Sequence, residues 1–172
     1  MNELANYRKE PNPALESLGP VSEDDLFHWA AVLKGAEGTA YEGGRWKIDI
    51  KIPENYPHNA PEMKFLTSIC HPNVHLKVTL TLLSACRNAV TDRWCWGQTG
   101  EICLDLLKNN WSAVCSISAT LTSVQQLLAS PEWDSPLNVD AAAVLRAGDT
   151  VGYESLVRVW SVLHAGKPPT LG

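Results

Sequence analysis

Cys103 sits in the run Thr99-Gly100-Glu101-Ile102-Cys103-Leu104-Asp105-Leu106-Leu107, downstream of His71-Pro72-Asn73 and upstream of Trp111. A cysteine attacks an acyl group as its thiolate, and the ordinary thiol pKa of about 8.5 leaves only a few per cent of it ionised near neutrality. Nothing in the sequence marks an activating base beside it. Flanked by Ile102 and Leu104, Cys103 alone reads as a buried structural cysteine, because free cysteine is among the most buried residue types. Asn73 alone reads as a turn-former, since asparagine bonds its own backbone. Cys70, His71, His75, Cys86 and Cys95 are ligand types, but their spacings fit no zinc pattern, and no metal is expected.

These residues need elements to hold them. Residues 2–10 form a short helix, ended by Pro11 and Pro13, because proline lacks an N–H and restricts the residue before it. Gly19, Pro20 and residues 22–25 read as a turn, and the aromatic and aliphatic density of 26–33 as a buried strand. After a turn over 35–44, Trp46, Ile48, Ile50 and Ile52 alternate with Lys47, Asp49 and Lys51, the period of a strand with one face on a core. Tyr56-Pro57 and Ala60-Pro61 break the chain before a third strand over 62–67, and three successive strands with short connections imply an antiparallel meander.

Beyond the cysteine the period changes. Ile117, Leu121, Val124 and Leu128 recur at helical spacing along 116–129, and Pro131 stops that helix. A second helix covers 140–147, closed by Gly148, and Thr150 caps a third that runs to about 165. Strands first and helices later give an α+β class.

The 172 residues suit one domain, taken as 1–166, followed by a flexible tail at 167–172 containing Lys167-Pro168-Pro169. Fourteen basic and nineteen acidic residues sum to −5 with no basic stripe, which argues against nucleic acid. No apolar run reaches the length of a membrane span, and Met1-Asn2-Glu3-Leu4 lacks the opening of a signal peptide, so a cytoplasmic location is expected. Five cysteines, at 70, 86, 95, 103 and 115, are odd in number and include no Cys-x-x-Cys pair, so at least one thiol is free.

The segment around Cys103, with His71-Pro72-Asn73, Asn55-Tyr56-Pro57, Ala60-Pro61 and Ser135-Pro136-Leu137-Asn138, resembles the ubiquitin-conjugating enzymes over roughly residues 3 to 165. The resemblance implies their fold: an antiparallel meander with an N-terminal helix and C-terminal helices. It also implies that Cys103 holds the C-terminal glycine of ubiquitin as a thioester, received from an ATP-dependent activating enzyme by nearly isoenergetic exchange between thiols, with no cofactor. Asn73 would then donate its side-chain amide to the oxyanion, a contact whose removal costs roughly 3 kcal/mol in other acyl-transfer sites. His71 is read as fixing the turn rather than as a general base, with Pro72 and Trp111 structural beside it. Thr99 to Leu104, Asp134 to Leu137, Val139-Asp140 and Arg146 to Asp149 are most similar to the peroxisomal members of the family. Those imply an enzyme held at the cytosolic face of the peroxisomal membrane by a small membrane-anchored peroxin and acting on the cycling import receptor.

The sequence also departs from the family. Ser135 stands before Pro136 where many members carry an aspartate that helps the acceptor lysine lose its proton, leaving Ser135 or the adjacent Asp134 for that task. His58 stands where RING-type ligases often meet an aromatic, and Ser112-Ala113-Val114 follows Trp111 where Ser or Thr, Pro and Ala are common, which makes His58 and Ala113 the ligase-contact candidates. The first helix contacts the activating enzyme and ligases in the family and looks clipped here. About 21 extra residues, 78–98, separate the turn from Cys103. They have three readings: a loop elaboration, a distinct functional element, or retained intron sequence, since a valine codon opens with GT and a glutamine codon can be CAG. Removing them joins Lys77 to Thr99 at close to the family's spacing. An enzyme is the leading reading; a non-catalytic or impaired binding module of the same fold is the alternative.

Overall fold

The computed structural model describes residues 3–75, 100–102, 111–132 and 136–166. In chain order the elements are α1 (Glu3–Lys9), β1 (Leu15–Pro20), β2 (His28–Lys34), β3 (Arg45–Lys51), β4 (Glu62–Phe65), α2 (Ile117–Ala129), α3 (Val139–Arg146) and α4 (Thr150–His164). The sheet runs β1-β2-β3-β4 with every neighbour antiparallel. The class is α+β as expected, and the meander has one strand more than the sequence suggested. The segment 78–98 and the tail 167–172 lie outside the described residues.

The additional strand is β1, which Gly19 and Pro20 disguise as a turn. It lies at the sheet edge, and Val21 N donates to His28 O (2.9 Å), so the preceding Pro20 nitrogen faces the open edge and breaks no ladder bond. A register shift between Leu15 and Ser17 also removes the clean alternation that marks a strand. β2 begins at His28 rather than at Leu26. Leu26 and Phe27 are 59% and 48% exposed because Asp25 Oδ1 accepts from Phe27 N (3.0 Å) in a side-chain-closed turn.

β2 is half-buried instead of buried throughout. Its inward residues Trp29, Ala31 and Leu33 stand opposite Ile50, Ile48 and Trp46 of β3, whose expected alternation is present. Met63 and Phe65 extend this face onto β4. The four apolar residues at helical spacing on α2, Ile117, Leu121, Val124 and Leu128, are all buried in the same core. At about 1.5–3 kcal/mol for each large aliphatic side chain taken from water, that stripe alone outweighs any single polar contact of the helix. Polar ties fix the helix's register. Ser116 Oγ caps its N-terminus through Ala119 N, Asn12 Nδ2 donates to Ser118 O and Thr122 Oγ1, and Gln125 Nε2 donates to Lys34 O.

Asn138 caps α3 by accepting from Ala141 N, and Gly148 follows that helix with φ +77°, its N–H on Leu145 O (3.0 Å). The cap of α4 is Asp149 and not Thr150: Asp149 Oδ1 accepts from Gly152 N at 2.8 Å, and its charge suits the positive end of the helix. Among the described residues no helix is long and apolar enough to cross a membrane.

Candidate active site

The His71-Pro72-Asn73 turn is buried and held from three sides. His71 Nε2 donates to Leu127 O (3.0 Å) and its Nδ1 accepts from Asn73 N (3.1 Å). The first bond answers a local need of α2: the carbonyl of Leu127 would ordinarily take the N–H four residues on, which is Pro131 and has none. These partners require neutral imidazole with its proton on Nε2, and burial pushes the His71 pKa down to about 3. Both ring nitrogens are therefore occupied, leaving no lone pair for a metal and no free base.

Pro72 O accepts from Leu137 N (2.8 Å) and Asn138 N (2.9 Å), which ties the turn to the start of α3. Asn73 closes the third side by a reciprocal pair: its Nδ2 donates to Glu132 O (2.5 Å) and its Oδ1 accepts from Glu132 N (2.9 Å). One of the two N–H groups of the amide is thus spent on the backbone. Cys70, just before the turn, is buried, and its thiol is pushed up to about 11 by that burial. Its carbonyl accepts from Tyr41 Oη at 2.7 Å.

Residues 100–102 run between β4 and this turn. Phe65 N donates to Gly100 O (2.8 Å), Glu101 bridges Lys64, and Ile102 bridges Val74, with His75 N on Glu101 O (3.0 Å). Lys64 Nζ adds an ion pair to Glu101 Oε1 at 2.9 Å. Gly100 has φ +69°, and a Cβ there would fall 2.1 Å from Phe65 O, so only glycine lets the segment lie this close to β4. The residue bonded to Cys103 is therefore paired with the residue that follows Asn73. Cys103, Ser135 and Asp134 lie outside the described residues.

On the surface, Trp111 Nε1 donates to Pro57 O (2.9 Å) and its ring lies 5.7 Å from that of Tyr56, joining the loop that bears His58 to the one that bears Ala113. His58 and Ala113 are both exposed, and Val114 is 92% exposed. Three contacts were not legible in the sequence: Tyr41, hidden in a stretch read only as a turn, and the main chains of Leu127 and Glu132. Main-chain contacts leave no side-chain signature. The missing N–H of Pro131 was the one available hint for Leu127.

Comparison with known proteins agrees with this geometry. The family model described as ubiquitin-conjugating enzyme matches residues 1–94 and 96–161. The ubiquitin-conjugating enzyme E2 pex4 of Dictyostelium discoideum is 42% identical over 163 residues, covering 94% of this chain and 95% of that one. Protein PEROXIN-4 of Arabidopsis thaliana is 38% identical over 143 residues, or 83% and 78% of the two chains. Among solved structures, H. polymorpha Pex4p in complex with the soluble domain of Pex22p superposes with a TM-score of 0.72 at 30% identity, over 88% of this chain and 83% of that one. A buried His-Pro-Asn turn braced against the approach to a cysteine, a four-stranded meander and a match along nearly the whole chain lead to one assignment: the chain belongs to the ubiquitin-conjugating enzyme family and is a ubiquitin transferase similar to its Pex4 members.

Proposed function

We propose that Cys103 carries ubiquitin as a thioester and hands it to an amine of the cycling peroxisomal import receptor. The observation that carries this reading is the bridge between Val74 and Ile102, which sets the residues next to Asn73 and next to Cys103 side by side. The Cys103 thiolate attacks the thioester carbonyl of ubiquitin on the activating enzyme, and that enzyme's thiolate leaves. An acceptor amine then attacks the Cys103 thioester, its lost proton taken up with the help of Ser135 or Asp134. The oxyanion collapses to an isopeptide as the Cys103 thiolate departs. The second N–H of Asn73 serves the oxyanion while the first holds Glu132 O.

RING-type ligase contact is assigned to the exposed surface around His58 and Ala113, supported by the Trp111–Pro57 bond that locks the two loops together. Recruitment to the membrane is assigned to a small anchored peroxin. Two observations support it: H. polymorpha Pex4p was solved with the soluble domain of Pex22p, and α4 exposes Val151, Leu156, Val159, Val162 and Leu163 as an uncovered apolar face. The chain is read as one catalytic domain over 1–166.

The test is loading. With activating enzyme, ATP and ubiquitin, the protein gives a reductant-sensitive adduct, and Cys103→Ser gives a reductant-resistant oxyester or none. A reducible adduct that survives in Cys103→Ser refutes the assignment, and absence of any wild-type adduct favours a non-catalytic module.

A further inference from the structure

We propose that the Tyr41 hydroxyl is a positioning group for ubiquitin discharge, acting by clamping the peptide that enters the His71-Pro72-Asn73 turn; this rests on the role given to Asn73 above. Tyr41 is buried, and its Oη donates at 2.7 Å to the carbonyl of Cys70, the peptide whose nitrogen belongs to His71. A hydroxyl has one proton, so in its 2.8 Å contact with Tyr153 Oη of α4, Tyr153 must be the donor. Tyr153 thus only donates to the back of the Tyr41 hydroxyl, and the clamp on the turn is the single bond from Tyr41 Oη to the Cys70 carbonyl.

The tyrosine is itself held firmly. Gly44 N donates to Tyr41 O (3.0 Å), the Tyr41 ring meets Trp46 edge-on at 5.7 Å, and the bare Cα of Gly35 packs where a Cβ would come within 1.7 Å of the Tyr41 carbonyl oxygen. A rigid side chain so placed fixes the height at which the chain enters the turn. Among the described residues, the turn's other anchors are the imidazole and amide of its own residues or main-chain groups. Tyr41 is the side chain from outside the turn whose hydroxyl can be deleted with the ring left in place. Loss of the bond frees the carbonyl before His71 to shift, and small misplacements at a reacting centre cost far more in rate than in stability. Loading, which exchanges one thioester for another at Cys103, should not register the change. Discharge, which needs the Asn73 amide in place, should.

The two tyrosines supply the control. Tyr41→Phe and Tyr153→Phe each remove one hydroxyl from the same buried pair and keep the ring, yet only the first removes the bond to the turn. The measurement is single-turnover discharge of the loaded full chain to free lysine, with KM and maximal rate separated, beside thermal melts and loading rates. Tyr41→Phe should load within twofold of wild type and discharge about tenfold more slowly in maximal rate, with KM for lysine unchanged. Tyr153→Phe should discharge within twofold of wild type while losing comparable thermal stability. Where the orphaned Tyr153 hydroxyl prevents Tyr41→Phe from folding, the double Phe variant replaces it and should discharge as slowly as predicted for Tyr41→Phe. Normal discharge by Tyr41→Phe, equal slowing by both single variants, or a change confined to KM overturns the positioning role and leaves the Cys103 thioester standing. A wild-type chain that never loads overturns both.

Discussion

Replacing Asn73 by alanine separates a clamp from a catalyst. The side chain makes two buried bonds to one residue, Nδ2 to Glu132 O at 2.5 Å and Oδ1 from Glu132 N at 2.9 Å. At about 1 kcal/mol net for each, their loss should cost roughly 2 kcal/mol, or a fall of about 4–8 °C in a domain of this size. The turn should survive, because His71 still holds Leu127 O, and Leu137 N and Asn138 N still hold Pro72 O. On the role proposed for the amide's second N–H, the catalytic cost is that of one oxyanion donor, whose removal is worth about a hundredfold or more in comparable acyl-transfer chemistry. Asn73→Ala should therefore load ubiquitin almost normally and discharge it to lysine about a hundredfold more slowly. Both rates must be compared with wild type at temperatures giving the same folded fraction. If loading and discharge fall together in step with the melting temperature, Asn73 is only a clamp. Equal discharge at equal folded fraction removes it from the chemistry altogether.

Gly100→Ala should lower the melting temperature and slow loading severalfold, since it combines a φ of +69° with a Cβ 2.1 Å from Phe65 O, whereas Gly38→Ala, with φ +73° and nothing within 4 Å of the added atom, should show only the backbone strain of about 1–2 kcal/mol. Unaltered loading in Gly100→Ala would mean that the 100–102 segment does not place the sulfur. Deleting 78–98 should leave a chain at least as stable and faster at discharge, because the flanking partners His75 and Glu101 are already hydrogen-bonded, and joining Lys77 to Thr99 leaves four residues between them, an ordinary hairpin connection. A shortened protein that is unfolded or slower, in melts and single-turnover assays, would make the segment a working part of the enzyme and dispose of the intron reading.

The elements that could be read from sequence were those whose pattern has one cause. Trp46, Ile48 and Ile50 alternate because one face of β3 meets a core, and Ile117, Leu121, Val124 and Leu128 repeat because one face of α2 meets the same core. β1 failed because two causes overlap in six residues, a register shift after Leu15 and a glycine-proline pair made harmless by the sheet edge. The cap of α4 failed for a smaller reason, since Asp149 and Thr150 are adjacent and both are good caps. At the site, the His71-Pro72-Asn73 turn was legible as a turn and its supports were not. Nothing in the spacing of Asn73 and Glu132, or of Tyr41 and Cys70, announces contacts that run through main-chain atoms of residues 59 and 29 positions away.

The electrostatics around the turn bear on how the proposed chemistry would proceed without an evident base. Burial keeps His71 neutral down to about 3 and the Cys70 thiol neutral up to about 11, and it raises the hydroxyls of Tyr41 and Tyr153 as well. Near neutrality, well inside that range, these four groups carry no charge. On the role proposed for Asn73 they are fixed dipoles, which would lose nothing to reorganisation when an oxyanion forms beside them. On the proposed route thioester exchange is close to isoenergetic, which leaves the fold the task of holding its donors still. The proton that must move belongs to the incoming amine. On the proposed mechanism, the pH dependence of discharge should therefore follow that amine, the Cys103 sulfur and Ser135 or Asp134, and not the groups of the turn.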